Sequence, residues 1–502
     1  MRGCVRRGRG ERTAPRGRDG LRHWVALASC ITLALLAGTT EAALPRPLGR
    51  AFLDAGIPLD AVAVVVQDVT ERQPFVAHRG NAAMNPASVM KLVTTYAALE
   101  ILGPNYRWRT EAYALGPVAN GVLAGDLVLK GHGDPKITIE QWQAFVAALR
   151  AAGIARITGD LVLDRTWFEL PPHDRGVFDA APLRPYNVGP DALLVNFNTV
   201  RMIFTPDALA GTIRLTLEPP LPAVRLVNAP LLGSGPCNDW RADLLPVIVN
   251  RGVDAELAFA GAFPASCGER SWYLALLDAP SYAHAMFAAY FRAAGGQFEG
   301  GWRAGRAPAD ARPVAVLESP PLYDIVRDVN KLSNNVMARQ IFLTLGVANS
   351  GPPATVARST DAVHRFLAAH KLAMPALLIE NGSGLSRTER VSAAGLARLL
   401  LAAERSAVRE EFSTSLAVAA TDGTVERRFQ NGRVAGQALL KTGSLEGVRA
   451  LAGYVLDAGG RRFLVVALVN HPEAARAQAA IDFLVQWVFR EGAAWARGIP
   501  PR

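Results

Sequence analysis

The chain has 502 residues, 54 Lys+Arg against 44 Asp+Glu, and a formal charge of +10. Half of it is hydrophobic and one fifth is charged, which excludes a disordered or fibrous protein and allows two or three globular domains. The lysines are six, Lys91, Lys130, Lys136, Lys331, Lys371 and Lys441, so nearly all the basic charge is arginine. A site that keeps Lys in such a chain points to a need for an amine that can lose its proton, which arginine cannot do.

Residues 1–23 hold eight arginines against Glu11 and Asp19, a segment of +6. An apolar run from Trp24 to Gly38 follows, then small residues around Thr40-Glu41-Ala42-Ala43. This order reads as a secretory signal peptide over residues 1–42, with export to the periplasm. Its removal takes eight arginines and three acids and leaves +5. No cluster of arginines interleaved with aromatics survives, so nucleic acid is not an expected partner. No later stretch reaches 18 unbroken apolar residues, so no transmembrane span is expected in the mature chain.

Ala61 to Val69 reads as a strand, and Phe75 to His78 as a short partner across a turn. A helical pattern runs from Ser88 to Leu102 and stops at Gly103. Residues 110–315 are rich in short β-like runs, Gly and Pro, and contain Gly125-Asp126-Leu127-Val128-Leu129 again as Gly159-Asp160-Leu161-Val162-Leu163. This region reads as a β-rich insert, the repeated segments as paired strands of one module. Cys237 and Cys267 are the cysteines left after the leader goes, and outside the cytoplasm they are expected to form a disulfide. Gly447 to Leu456 and Arg462 to Asn470 read as a hairpin, and Pro472 to Phe489 as a closing helix. Strands near both termini with helices between them predict an α+β domain built from residues 43–109 and 316–502, split by the insert.

Three short motifs carry chemistry. In Ser88-Val89-Met90-Lys91, helical spacing puts a hydroxyl beside an amine. Serine is a poor nucleophile without a base, and lysine can be that base when burial or a second cation keeps it neutral. The plain alternative is a capping serine and an exposed lysine. Ser333-Asn334-Asn335 offers a hydroxyl to relay a proton and a carboxamide to hold a carbonyl; its plain alternative is a cap for a helix from Val336. Lys441-Thr442-Gly443, ahead of Ser444, offers a cation, a hydroxyl and room for close backbone approach; its plain alternative is a solvated turn. No HExxH or other paired-ligand spacing is present, so neither a metal nor a cofactor is expected.

Together and in this order the motifs are those of penicillin-binding proteins and serine β-lactamases. The separation of 245 positions from Ser88 to Ser333, with Gly131-His132-Gly133-Asp134-Pro135, Gly382-Ser383-Gly384-Leu385-Ser386-Arg387 and Thr421-Asp422-Gly423-Thr424, makes the chain resemble the class C low-molecular-mass penicillin-binding proteins, the D-alanyl-D-alanine carboxypeptidase/endopeptidase family. One departure is Asn381, where the family usually has Asp. The resemblance implies a transpeptidase/β-lactamase-like domain and a penicillin-sensitive serine peptidase acting on peptidoglycan stem peptides. Ser88 would be the nucleophile and Lys91 its base, with Ser333 and Lys441 relaying a proton. Asn335, Thr442, Gly443 and Ser444 would bind substrate. Asp164, with Asp160 as the lesser alternative, would meet the amino group of the substrate's diaminopimelate; a strand-end Asp capping a turn is the competing reading. A homodimer stays open. The competing functions are a β-lactamase and a catalytically idle cell-wall-binding protein.

Overall fold

All seven residues of the strand Val62–Asp68 are buried, so both its faces are covered. Ala63 and Val65 face a core built largely of helices, and Val62, Val64 and Val66 face a second core on the other side. The alternation follows from the period of two along a strand. The computed structural model describes residues 44–251, 254–430 and 432–495; the expected signal peptide lies outside them.

This strand belongs to a six-stranded antiparallel sheet drawn from both ends of the chain. Its order is Ala417–Val418, Ala438–Leu445, Val448–Leu456, Arg462–Asn470, Val62–Asp68, Val76–His78. Val65 pairs with Val466, which joins segments about 400 residues apart. The helices Arg46–Asp54 and Gln478–Trp495 cover one face through Leu48, Phe52, Leu484 and Val485. The other face carries the helices Lys91–Leu102, Leu322–Leu332, Asn335–Ser350 and Val356–Ala369. The helix Lys91–Leu102 is buried from Lys91 through Leu99, as a helix apolar all round must be. The α+β architecture expected from the sequence is the one found. The helix expected from Ser88 opens instead as a 3-10 turn, Ala87–Met90, and becomes α-helical at Lys91.

The chain leaves this layer along Arg109–Leu115 and returns along Ala315–Glu318, which pair antiparallel. Between them the two copies of GDLVL are paired strands, with Leu127 against Leu161, Val128 against Val162 and Leu129 against Leu163. The pairing is parallel and is joined by the helix Ile139–Ala151, the kind of crossover parallel strands require. With the helix Ala279–Ala293, the middle region is thus more helical than its composition suggested. A three-stranded sheet, Thr212–Glu218, Val200–Asp207 and Arg270–Leu274 in that order, packs with a second β layer around Phe204, Trp240, Phe259 and Phe263. The expected disulfide between Cys237 and Cys267 is present. Among the described residues no helix is long and apolar enough to cross a membrane.

Because the disulfide spans 30 positions, replacing both cysteines by serine is expected to destabilise the middle region by roughly 3–4 kcal/mol. Denaturant unfolding of the two forms measures it.

Candidate active site

Lys91 is fully buried at the start of its helix. Its Nζ donates to Asn335 Oδ1 at 2.6 Å and to the Ser383 carbonyl at 2.5 Å, and lies 2.9 Å from Ser88 Oγ. Burial, then the charge of Lys441, holds the Lys91 amine well below the ordinary lysine value, and Arg339 adds to this while Glu389 opposes it. An exposed helix lysine is therefore not what this residue is. Nor does Ser88 cap the helix with its side chain.

Two of the three partners of Lys91 are carbonyl oxygens, which only accept. A neutral amine has two hydrogens, and these two oxygens take both. The remaining lone pair then faces Ser88 Oγ.

The second lysine is arranged likewise. Lys441, also fully buried, donates to Ser333 Oγ at 2.8 Å and to the Thr442 carbonyl at 2.9 Å. Burial pushes its amine down to about 7. Ser333 sits in the left-handed region, φ 58°, where the helix Leu322–Leu332 ends. Asn334 caps the next helix by accepting from Met337 N–H at 3.0 Å. The capping alternative is thus fulfilled by Asn334, and Ser333 and Asn335 on either side of it meet the two lysines.

The loop before Ser88 is held from distant segments. Asn85 N–H donates to Asn470 Oδ1 at 2.8 Å, and Asn470 Nδ2 returns a bond to the Asn85 carbonyl at 3.0 Å. Asn85 Nδ2 donates to the Ser386 carbonyl, and its own Oδ1 accepts from Ala87 N–H. Ala87 is held at φ 47°, an uncommon conformation for a residue with a Cβ. Gly443 closes the other side: a Cβ there would lie 2.5 Å from the Pro86 carbonyl oxygen. This glycine therefore lets its strand lie against the Ser88 loop. Thr442 is half-buried and donates to Thr424 Oγ1 at 2.7 Å, while Ser444 is exposed on the same strand.

The segment 380–389 was missed as part of the lysine site. Its Ser383 carbonyl accepts from Lys91. Buried Glu389 fixes this loop, its Oε1 accepting from the backbone N–H groups of Glu380, Asn381 and Gly382. Burial raises its carboxyl above the usual range. Asn381 accepts from the Ser383 backbone and hydroxyl, and donates from Nδ2 to the Leu385 carbonyl at 3.0 Å. An aspartate could not supply that last bond. Gly384, at φ 80°, lets the loop lie against Ser88; a Cβ would stand 1.9 Å from the Ala87 carbonyl oxygen.

Asp164 lies elsewhere in chemical terms. It is 3% exposed. One oxygen accepts from the Thr166 backbone and hydroxyl, and the other from Ala307 N–H. These are the contacts of a turn cap, the competing reading of this residue. A strand-end Asp looks alike in sequence in either role.

The sheet-and-helix frame around these groups is a penicillin-binding, β-lactamase-like fold: penicillin binding protein 4 (dacB) of Haemophilus influenzae superposes with a TM-score of 0.75 at 22% identity, over 88% of this chain and 99% of that one. The model of the D-Ala-D-Ala carboxypeptidase 3 (S13) family matches residues 47–490, and the chain belongs to that family, hence to the peptidases. It is 28% identical over 496 residues to the D-alanyl-D-alanine carboxypeptidase of Actinomadura sp. (strain R39), covering 93% of this chain and 90% of that one. It is 25% identical to D-alanyl-D-alanine carboxypeptidase DacB of Haemophilus influenzae, over 82% of this chain and 85% of that one.

Gly384→Ala is expected to leave the protein folded and to reduce serine acylation by about 100-fold, because the added methyl displaces the Ser88 loop; circular dichroism with an acylation assay checks both. A second expectation concerns pH. In the unfolded chain Lys441 stays protonated up to its ordinary value of 10.5, while folded it releases the proton near 7. Between these values the unfolded state binds more protons, so this group makes stability rise with pH, by up to about 1.4 kcal/mol per unit. Lys441→Met should flatten that rise in denaturant unfolding curves taken across the window.

Proposed function

We propose that the protein is an exported, penicillin-sensitive serine D-Ala-D-Ala carboxypeptidase and endopeptidase that trims and cleaves peptidoglycan stem peptides in the periplasm. The observation that carries this is the buried Lys91, whose Nζ lies within hydrogen-bond distance of two carbonyl oxygens and of Ser88 Oγ. Neutral Lys91 takes the Ser88 proton as Oγ attacks the carbonyl carbon of the penultimate D-alanine. The scissile C–N bond breaks to leave an ester on Ser88, and the departing amine receives a proton through Ser333 and Lys441. Water then cleaves the ester, releasing the shortened peptide and restoring the serine hydroxyl.

Asn335 holds the substrate amide, and Thr442 with Ser444 holds the terminal carboxylate. The backbone N–H groups of Ser88 and Ser444 stabilise the developing oxyanion, an effect for which one donor is typically worth about 2.7–4 kcal/mol. A buried, hydrogen-bonded pair of lysines supports catalysis over an idle wall-binding role, because burying amines without function costs stability. The Haemophilus influenzae penicillin binding protein 4 has been solved with a bound β-lactam, which supports penicillin as the probe.

Fluorescent penicillin should label the wild type and fail to label Ser88→Ala. Lys91→Arg is expected to slow acylation by about 10²–10⁴-fold, since a permanently charged side chain cannot accept the proton. Equal labelling of wild type and Ser88→Ala would remove Ser88 as nucleophile. Slow penicillin release is expected; rapid turnover would make the protein a β-lactamase. Mass analysis of products from a pentapeptide muropeptide and from a cross-linked dimer reads the two peptidase activities separately.

A further inference from the structure

A cleft of about 620 Å³ opens beside Ser333, Asn334 and Asn335 and runs onto the middle region. The catalytic scheme uses none of its far wall. That wall includes one transverse row of the three-stranded sheet: Tyr273 pairs with Arg201, and Arg201 with Glu218. Strand spacing of about 4.8 Å spreads such a row over roughly 10 Å, about the length of a disaccharide. Tyr273 is 55% exposed, and Leu332 at the catalytic end of the cleft is 67% exposed. Arg201 Nη1 donates to Glu218 Oε2 at 2.9 Å, with both side chains at least one third exposed. Tyr186 adds a second ring, its hydroxyl tied to Asp179 at 2.6 Å.

These features suit a carbohydrate better than a second peptide. Rigid aromatic rings present broad apolar faces with a polar tip, which match the C–H faces of a pyranose. The paired guanidinium and carboxylate keep unused N–H donors and acceptor sites, which match hydroxyl and acetamido groups. The volume falls in the range of sites for small organic ligands. A stem peptide is attached to its sugar through its first residue, so a peptide whose far end lies at Ser88 carries a glycan that must rest somewhere on the surface.

We propose that this cleft is a glycan subsite: it binds the N-acetylated disaccharide that carries the stem peptide, with Tyr273 as stacking platform and Arg201 and Glu218 as hydrogen-bonding groups. The inference rests on the peptidase reading above and adds the sugar to its substrate. Hydrolysis of a disaccharide-pentapeptide should exceed that of the free pentapeptide by about tenfold in kcat/KM, a stacking contact of ordinary strength. Tyr273→Ala should erase the preference through KM, Tyr273→Phe should keep it, and Arg201→Gln should weaken it. Penicillin acylation and free-pentapeptide hydrolysis should stay unchanged in all three, which also shows that they fold. Equal wild-type rates on the two substrates would overturn the proposal. So would equal loss on both in Tyr273→Ala, or a Tyr273-dependent preference for a sugar-free cross-linked peptide, which would make the cleft a peptide groove. A wild type that neither binds penicillin nor cleaves either substrate would overturn the peptidase reading itself, and is told apart by that common silence.

Discussion

The site depends on keeping an amine out of water. Lys91 has no exposed surface, and its neighbours are two carbonyl oxygens, one hydroxyl and the field of a second buried lysine. In water a lysine at neutral pH is a cation and cannot accept a proton. Burial removes the hydration that stabilises the charge, and Lys441 raises its cost further. What remains is an amine whose lone pair has one place to point. Glu389 pulls the other way; burial raises its carboxyl, against the three backbone N–H groups that favour the carboxylate.

Much of the fold serves to assemble that enclosure from remote parts of the chain. The lysine and serine come from residues 88–91, the carbonyls from residues 335 and 383, and the second amine from residue 441. The reciprocal bonds between Asn85 and Asn470 pin the Ser88 loop to the end of a sheet strand. Gly384 and Gly443 bring two further backbones against the same loop at distances no Cβ would permit. Close packing of backbones makes the site rigid, and rigidity holds the Ser88 hydroxyl and the Lys91 amine in register. The middle region stands apart from this chemistry, and the one row of its sheet that reaches the serine–asparagine corner is better suited to sugar than to peptide.

The sequence was most legible where residue identity carries the chemistry. Lys91 and Lys441 stood out because lysine is scarce here, and the Val-rich apolar runs at Val62–Asp68 and Arg462–Asn470 marked the sheet. The Ser383 carbonyl left no trace, because every residue has a carbonyl and only the loop's shape aims this one. Asp164 was ambiguous for a related reason: an acid at a strand end reads the same whether it caps a turn or awaits a ligand, and its partners Thr166 and Ala307 are set by tertiary structure. The helix Ile139–Ala151 was overlooked although Thr138 and Gln141 form a capping box at its start, a signal that residue types alone display.

The scarcity of lysine also supplies the most direct test. With six lysines in the chain, carbon-13 labelling at the ε position gives a spectrum simple enough to assign by Lys91→Arg and Lys441→Arg. The account predicts that the Lys91 resonance titrates well below the ordinary lysine value of 10.5 and that its titration moves up when Lys441 is replaced by Met. If Lys91 titrates near 10.5, it is a cation at working pH, and the neutral-base account fails.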